Sequence, residues 1–354
     1  MGLDLLVKNG TVVDGSGVAR YQGDVGIKDG RINAIGRIRE PARRIIDADG
    51  LIVAPGFIDG HTHMDAQVAW DPLGSCSCWH GVTTVLMGNC GFALAPCGPD
   101  DREWFARCLE AVEDIPTDAM MAGIDWTWET FPEYLANVEQ LPKGLNYGAY
   151  IGHSALRMYV MGERALTEAA NEDDLDRMVN AVEEALLVGA VGFSTSRATT
   201  HITPDGTPVA SRIAEWNEID RIVASMAKMN AGVFQIGPDI SSGSAYKEFL
   251  QRLRKITLDN GRPVMFGVSS TKQGDDPLPW QSQTDFIDEV VAEGGHIWGQ
   301  ATTRPISAVF SAKSYLPFDG LPVWREVRSL TIEEQKSRFA DPDVRRRLIE
   351  AERL

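Results

Sequence analysis

Two histidines one residue apart, His61 and His63, are the first side chains in this sequence whose type and spacing point to chemistry. They stand at the polar end of Phe57-Ile58-Asp59-Gly60-His61-Thr62-His63, a run with an apolar start that reads as a buried strand opening into a site. On a strand, positions i and i+2 face the same side, so the two imidazoles can converge on Zn²⁺ or a similar borderline metal. The alternative is a pair of hydrogen-bonded pocket histidines, and His-Thr-His alone leaves the two readings even. Asp65, two residues on, reads as a pocket residue or an orienter of a ligand, or equally as a helix or loop cap. Cys90 follows a strand-like run and lies between Asn89 and Gly91, where a thiolate could reach a metal. Its residue type alone favours a buried, inert thiol.

Two further segments carry candidate substrate contacts. His201 lies in the polar loop from Ser196 to Gly206 and reads as a substitute ligand, a substrate contact or a plain loop histidine. Arg197 in the same loop is a second substrate-binding candidate. Arg157 could grip a substrate carboxylate with its bidentate fork, or close a salt bridge within a helical layer.

From Pro55 onward, strand-like and helical stretches alternate. Val82–Met87, Tyr147–Gly152, Ala190–Ser194, Gly232–Ile236 and Pro263–Val268 read as strands. Helical patterns begin near residue 101, cover the apolar set Leu175, Met178, Val179, Val182, Ala185 and Leu186, and recur over about residues 215–229 and 245–258. That alternation implies parallel pairing with helices on the outer face. Six or so such units fit a (β/α)₈ barrel that stops before its last strands, or else an open doubly wound sheet. Before Pro55 the pattern is short antiparallel strands, with hairpin dipeptides at Asn9-Gly10 and Asp29-Gly30 and a third turn at Asp49-Gly50. Residues 305–322 read as irregular, the end as a charged helix, and nothing after residue 320 as a barrel strand.

Four motifs in order carry a family resemblance: Gly56–Asp65, Gly88-Asn89-Cys90-Gly91, Tyr150–Arg157 followed by Val160-Met161-Gly162, and Gly189–Thr195. The chain resembles the amidohydrolase superfamily, specifically its N-acyl-D-amino-acid deacylase branch, over most of the first two hundred residues. The resemblance implies an α/β fold: a distorted TIM (β/α)₈ barrel, incomplete in this chain, beside a small β-sandwich built from both chain ends. Residues 1–55 would be the N-terminal half of that sandwich and residues 56–354 a barrel lacking its last strands. It implies His61, His63 and Cys90 as metal ligands, and His153 as a catalytic residue near the scissile group, donating to the developing oxyanion. His153 also has a structural reading, packing and hydrogen-bonding between strand and helix. The implied catalytic Asp, at the end of an eighth strand, has no match in this chain.

Relatives with a fuller metal site carry histidines at the ends of the fifth and sixth strands. Here those positions read Val233-Phe234-Gln235-Ile236-Gly237 and Met265-Phe266-Gly267-Val268-Ser269, without histidine. One strong Zn²⁺ site, with a weak second one near Cys90, is therefore expected. The loop around His201 resembles a divergent sub-branch of the family. The implied reaction is hydrolysis of an amide of the N-acyl-D-amino-acid kind, or a related C–N bond, by a metal-activated water. One rival is a hydrolase of a cyclic amide, ester or carbamate; another is a non-catalytic barrel that serves binding or assembly.

Composition narrows the partners. Asp and Glu outnumber Lys and Arg by 50 to 34, a net charge of −16, which disfavours a nucleic-acid backbone or an anionic membrane. Five cysteines without a regular framework read as reduced thiols of a cytoplasmic protein. The start of the sequence shows no basic segment followed by an apolar one, so no secretory signal is expected. The expected partner is a small-molecule substrate, and a homo-oligomer stays open. Trp126, Trp128, Tyr150, Phe193, Phe234, Phe266 and Trp298 read equally as a lining for an aromatic or apolar substrate part and as core and rim packing.

Overall fold

The computed structural model describes residues 2–113, 115–203, 206–238, 243–268, 279–303, 311–312, 316, 318–319 and 321–352. Pro204, Asp205, Ser269 and most of the 305–322 stretch singled out in the sequence lie outside the described residues. The chain forms two compact units, residues 1–301 and 302–354.

The first unit begins with a five-stranded sheet: β1 (Leu3–Val12), β2 (Tyr21–Lys28), β3 (Arg31–Gly36), β4 (Ala42–Asp47) and β5 (Ile52–Val53). Asp29-Gly30 closes the β2–β3 hairpin with φ of 51° and 71°, the left-handed pair that a type I′ turn requires. The hairpin expected at Asn9-Gly10 does not form. Asn9-Gly10 lies inside β1, where the register on β2 slips between Val7 and Gly10, a bulge with Asn9 at φ 61°. Side chains take over the interrupted ladder there: Asn9 N donates to Asp24 Oδ1 and Asn9 Nδ2 to Asp47 Oδ1, both at 2.9 Å. Asp49-Gly50 forms the expected turn, closed by Leu51 N donating to the carbonyl of Ala48 at 2.9 Å, between β4 and β5, which both run parallel to β1. The sheet is mixed, not antiparallel throughout.

A seven-stranded sheet follows: β6 (Phe57–Asp59), β7 (Val82–Met87), β8 (Asn146–Gly152), β9 (Gly192–Ser196), β10 (Val233–Gly237), β11 (Val264–Gly267) and β12 (Ile297–Gln300). Every neighbouring pair is parallel and spatial order equals chain order. Helices provide the crossovers: α1 (Ser75–Cys78), α2 (Arg102–Glu113), α3 (Thr117–Gly123), α4 (Phe131–Gln140), α5 (His153–Met161), α6 (Glu172–Leu187), α7 (Trp216–Lys228), α8 (Gly243–Asn260) and α9 (Pro279–Ala292). α6 starts at a reciprocal cap between Asn171 and Asp174. It buries Leu175, Met178, Val182 and Ala185, while α7 buries Ile219, Ile222, Val223 and Met226, spacings that put each set on one helix face. These stripes cover a sheet core of Val85, Met87, Ile151, Phe193, Phe234, Val264, Phe266 and Ile297. Tyr150, Phe193, Phe234 and Phe266 are fully buried, so of the two readings of these aromatics packing is the one observed.

The sheet is a curled, incomplete (β/α) barrel. Its two edge strands meet through one side chain: Gln300, at the end of β12, donates from Nε2 to the carbonyl of Gly60 at 3.0 Å. Two expectations change here. Ile297–Gln300 is a strand that the sequence reading passed over, although Gly294-Gly295 and two apolar residues announce it. β6 is not buried at its start, where Phe57 and Ile58 are 67% and 70% exposed, because it pairs only with β7.

Among its described residues the second unit holds three helices, α10 (Pro322–Arg328), α11 (Ile332–Ala340) and α12 (Pro342–Glu352), where a single charged helix was expected. Thr331 and Glu334 form a reciprocal cap that restarts the chain as α11. Val327, Val344 and Leu348 pack with Val323, Trp324 and Phe339 into a small core of its own. Among the described residues no helix is long and apolar enough to cross a membrane.

Candidate metal centre

The chain leaves β6 at Asp59, yet stays registered on β7 for three more residues. Thr62 donates to the carbonyl of Leu86 from both its backbone N (3.0 Å) and its Oγ1 (2.8 Å). With Thr62 pinned, alternation turns His61 and His63 to one side, their ring centroids 5.3 Å apart. Cys90 arrives from the next strand by a tight turn. Gly88, Cys90 and Gly91 all have positive φ (73°, 57° and 78°). A Cβ on Gly88 would lie 2.3 Å from the carbonyl oxygen of Tyr150, so only glycine fits that position.

The turn is held on every side. Asn89 Nδ2 donates to the carbonyls of Thr62 (3.1 Å) and Leu86 (2.8 Å), tying the cysteine loop to the histidine strand. Cys90 N donates to Gln235 Oε1 at 2.7 Å, and Gly91 N to Ser194 Oγ at 3.0 Å. Ser194 Oγ in turn donates to the carbonyl of Gly88. The outcome is Cys90 Sγ at 3.4 Å from His61 Nε2. One ligand atom from each of His61, His63 and Cys90 falls within a 4.8 Å cluster, and among the described residues no carboxylate joins it.

Gln300 selects the tautomer of the His61 ring. A backbone carbonyl can only accept, so the bond to Gly60 orients the Gln300 amide with Oε1 toward His61 Nδ1, 2.9 Å away. His61 therefore carries its proton on Nδ1 and presents the Nε2 lone pair toward Cys90. Burial, with His61 and His201 beside it, lowers His63 to about 3. Its Nδ1 is buried without a hydrogen-bond partner among the described residues, the state of a nitrogen whose partner is an ion. Burial pushes the Cys90 thiol up to about 12, so it is a protonated thiol in the absence of a cation. Two imidazole nitrogens and one sulfur suit zinc, and these residues fit such an ion.

The remaining candidates separate. His201 borders the cluster: its ring contacts Phe92 at 5.0 Å, the same ring that His63 meets at 5.8 Å, and its Nδ1 lies 2.7 Å from Ser196 Oγ. Burial, then His61 and Arg212, lower His201 to about 4. Asp65 is 2% exposed and accepts from Gly88 N at 3.0 Å, so it supports the cysteine turn. Burial raises its carboxyl to about 7. Arg197 Nη1 donates to the carbonyl of Ala214 at 2.6 Å, and the guanidinium stacks on Trp216.

His153 starts α5 beside the cysteine turn, its backbone N 3.6 Å from where a Cβ on Gly91 would stand, while its ring and the Arg157 guanidinium are taken up in a buried network that matches their structural readings. Both are fully buried. His153 Nε2 bonds Glu218 Oε1 at 2.6 Å and its Nδ1 bonds Thr195 Oγ1 at 2.7 Å. Arg157 Nη1 donates to the other oxygen of Glu218 at 2.5 Å. Burial alone would raise Glu218, but His153 and Arg157 outweigh it and hold the carboxyl below its ordinary value. Ionised, Glu218 can only accept, so His153 donates from Nε2 and accepts from Thr195; neither ring nitrogen is left for a substrate. This triad ties α5 to α7.

A profile of the amidohydrolase family matches residues 44–330. A profile of the N-terminal domain of the urease alpha-subunit matches residues 1–57. The D-aminoacylase of Alcaligenes xylosoxydans xylosoxydans is 37% identical over 205 residues, 56% of this chain and 40% of that protein. The N-acyl-D-glutamate deacylase of the same organism is 36% identical over 231 residues, 65% of this chain and 42% of that protein. The solved N-acyl-D-glutamate deacylase of Bordetella bronchiseptica, complexed with zinc and a phosphonate mimic of the tetrahedral intermediate, matches with a TM-score of 0.69 at 26% identity. That match covers 86% of this chain and 59% of that one. The chain thus spans less than half the length of these two curated relatives.

Proposed function

This chain belongs to the amidohydrolase family, and from that premise we propose that it carries the first half of a metal site for hydrolysing an amide or related C–N bond of a small molecule. The observation that carries this reading is the convergence of His61, His63 and Cys90 within 4.8 Å. The ion we propose is zinc, named with the similar solved deacylase, and the substrate class is the N-acyl-D-amino acids that the similar curated enzymes are named for. When bound, the ion supplies Lewis acidity at the scissile carbonyl and lowers the pKa of an attacking water.

The chain's own residues prepare that site. His63 is neutral at physiological pH and needs to lose no proton to bind a cation. Gln300 fixes the His61 ring so that Nε2 is the free donor. Gln235 fills with hydrogen bonds a position where relatives with a fuller site carry histidine, which supports one strong metal site over two. Residues 1–55, as part of a small β-domain beside a barrel from residue 56, complete the proposal.

The deciding experiment is metal analysis of the purified chain with a hydrolysis screen of N-acyl-D-amino acids, cyclic amides and esters. About one zinc per chain and preference for the D-acyl amides are expected. A folded protein that takes up no transition metal overturns the reading, and preference for a cyclic amide or ester overturns the substrate class alone.

Two predictions follow from single atoms. Gln300→Leu removes the acceptor that holds His61 Nδ1–H, and zinc affinity is expected to fall about 10- to 100-fold in a competition titration with a chelator, with secondary structure unchanged. Because Cys90 is a protonated thiol in the cation-free protein, zinc uptake near pH 7 releases its proton. Calorimetry in buffers of different ionisation enthalpy is expected to count about one proton more for the parent than for Cys90→Ser. Equal counts would remove Cys90 from the ligand set.

A further inference from the structure

Away from the histidine–cysteine cluster, the loop after β9 and helices α7 and α8 enclose a cavity of about 320 Å³ lined by Arg197, Arg212, Arg252, Trp216, Thr199 and Glu248 among others. Three guanidinium groups around one small space are unusual in a chain of net charge −16.

Neutral partners hold much of this arrangement. Arg197 and Arg252 lie over Trp216, each 5.0 Å from the ring centroid. Arg197 Nη1 also donates to the carbonyls of Ala214 (2.6 Å) and Arg212 (3.2 Å). Arg212 Nη1 donates to the carbonyls of Thr199 (3.1 Å) and His201 (3.3 Å). Carbonyls and a ring face fix a guanidinium without cancelling its charge.

Among the described residues, two acidic side chains face Arg252. Glu248 Oε1 is 3.4 Å from Arg252 Nη2, with its side chain 71% exposed at the rim. Asp220 on α7 also feels Arg252, but burial raises its carboxyl above the ordinary value. Arg252 Nε is buried without a hydrogen-bond partner among the described residues, a donor left over for a ligand.

We propose that this cavity is a binding site for a small, multiply charged oxyanion, a dicarboxylate or a phosphate group. Both chemistries present paired oxygens to a guanidinium fork. A space of about 320 Å³ has room for a compact anion with part of its hydration shell. Two guanidiniums flank Trp216, so recognition runs through charge and hydrogen bonds and not through stacking of a ligand on that ring. Arg212 links the cavity to the carbonyl of His201, whose ring borders the metal cluster. An anion on Arg212 therefore braces the loop that carries His201. The site stands independently of the hydrolase reading, because its occupancy is measured on metal-free protein.

The test is calorimetric titration of the metal-free full chain with inorganic phosphate and, separately, succinate, at constant ionic strength set with sodium chloride. Saturable binding near one per chain is expected, and the tighter probe distinguishes a phosphate site from a carboxylate site. Arg252→Gln is expected to weaken the tighter probe about tenfold or more, a loss typical of one charge-assisted contact. Glu248→Gln, a change on an exposed side chain that leaves folding intact, is expected to strengthen it about threefold by removing the opposing charge. No saturable binding of either probe overturns the proposal. Binding that is indifferent to both substitutions overturns it equally.

Discussion

Replacing His63 with alanine is expected to abolish stoichiometric zinc binding and to lower kcat/KM by about a thousandfold or more, the loss of several kcal/mol of transition-state stabilisation. His63 has no competing role to retain it in the metal-free protein, since its Nδ1 is buried without a partner among the described residues and burial keeps the ring neutral down to about pH 3. Alanine there removes a donor without stranding another polar group, so the fold should persist. Zinc content by elemental analysis, with circular dichroism as the folding control, separates lost metal from lost structure. A His63→Ala protein that keeps one tightly held zinc would remove His63 from the site.

The second large effect lies away from the chemistry. Glu218→Gln is expected to destabilise the protein by about 3–5 kcal/mol, because it strips the counter-charge from the fully buried Arg157 guanidinium. Gln keeps the size of the side chain, so packing is preserved and the loss is electrostatic. A double substitution with Arg157→Met removes the stranded charge and should recover much of the loss. Urea unfolding of the single and double variants measures both. A loss under about 1 kcal/mol for the single variant would show that Arg157 finds other compensation, for example in the carbonyls of Ala165 and Glu168 that its Nη2 already reaches.

That triad also shows how far the sequence could be read. His153 looked like a site residue because it ends a strand inside a family motif, and strand ends on that face are where sites form. Nothing near it in sequence reveals Glu218, 65 positions away, which claims its ring from another helix. The family resemblance singled out His61, His63 and Cys90, which their residue types alone left open, and their convergence rests on local geometry. Alternation on one strand and a glycine-flanked turn on the next are local patterns, and local patterns survive in a one-dimensional record.

The supports of the cluster divide in the same way. Asn89 sits beside Cys90 and could have been suspected, whereas Gln235 and Gln300 come from distant strands and gain meaning only once the sheet is assembled. The parallel alternation gave the barrel layout. It missed β12, a short strand, and it made a hairpin out of Asn9-Gly10, because a left-handed dipeptide serves a bulge as well as a turn.

The contact across the sheet edges bears on the order of assembly. Cys90 and His61 meet across 29 residues of chain, while the Gln300 bond to His61 spans 239. Loop closure makes the longer contact more costly by about 2 kcal/mol in chain entropy before any packing repays it. The donors of the cluster can therefore come together while most of the sheet is still unformed, and the Gln300 latch shuts late. A folding chain would meet its cation at a half-ordered pair of parallel strands first, and would gain the fixed His61 tautomer only when the seventh strand arrives.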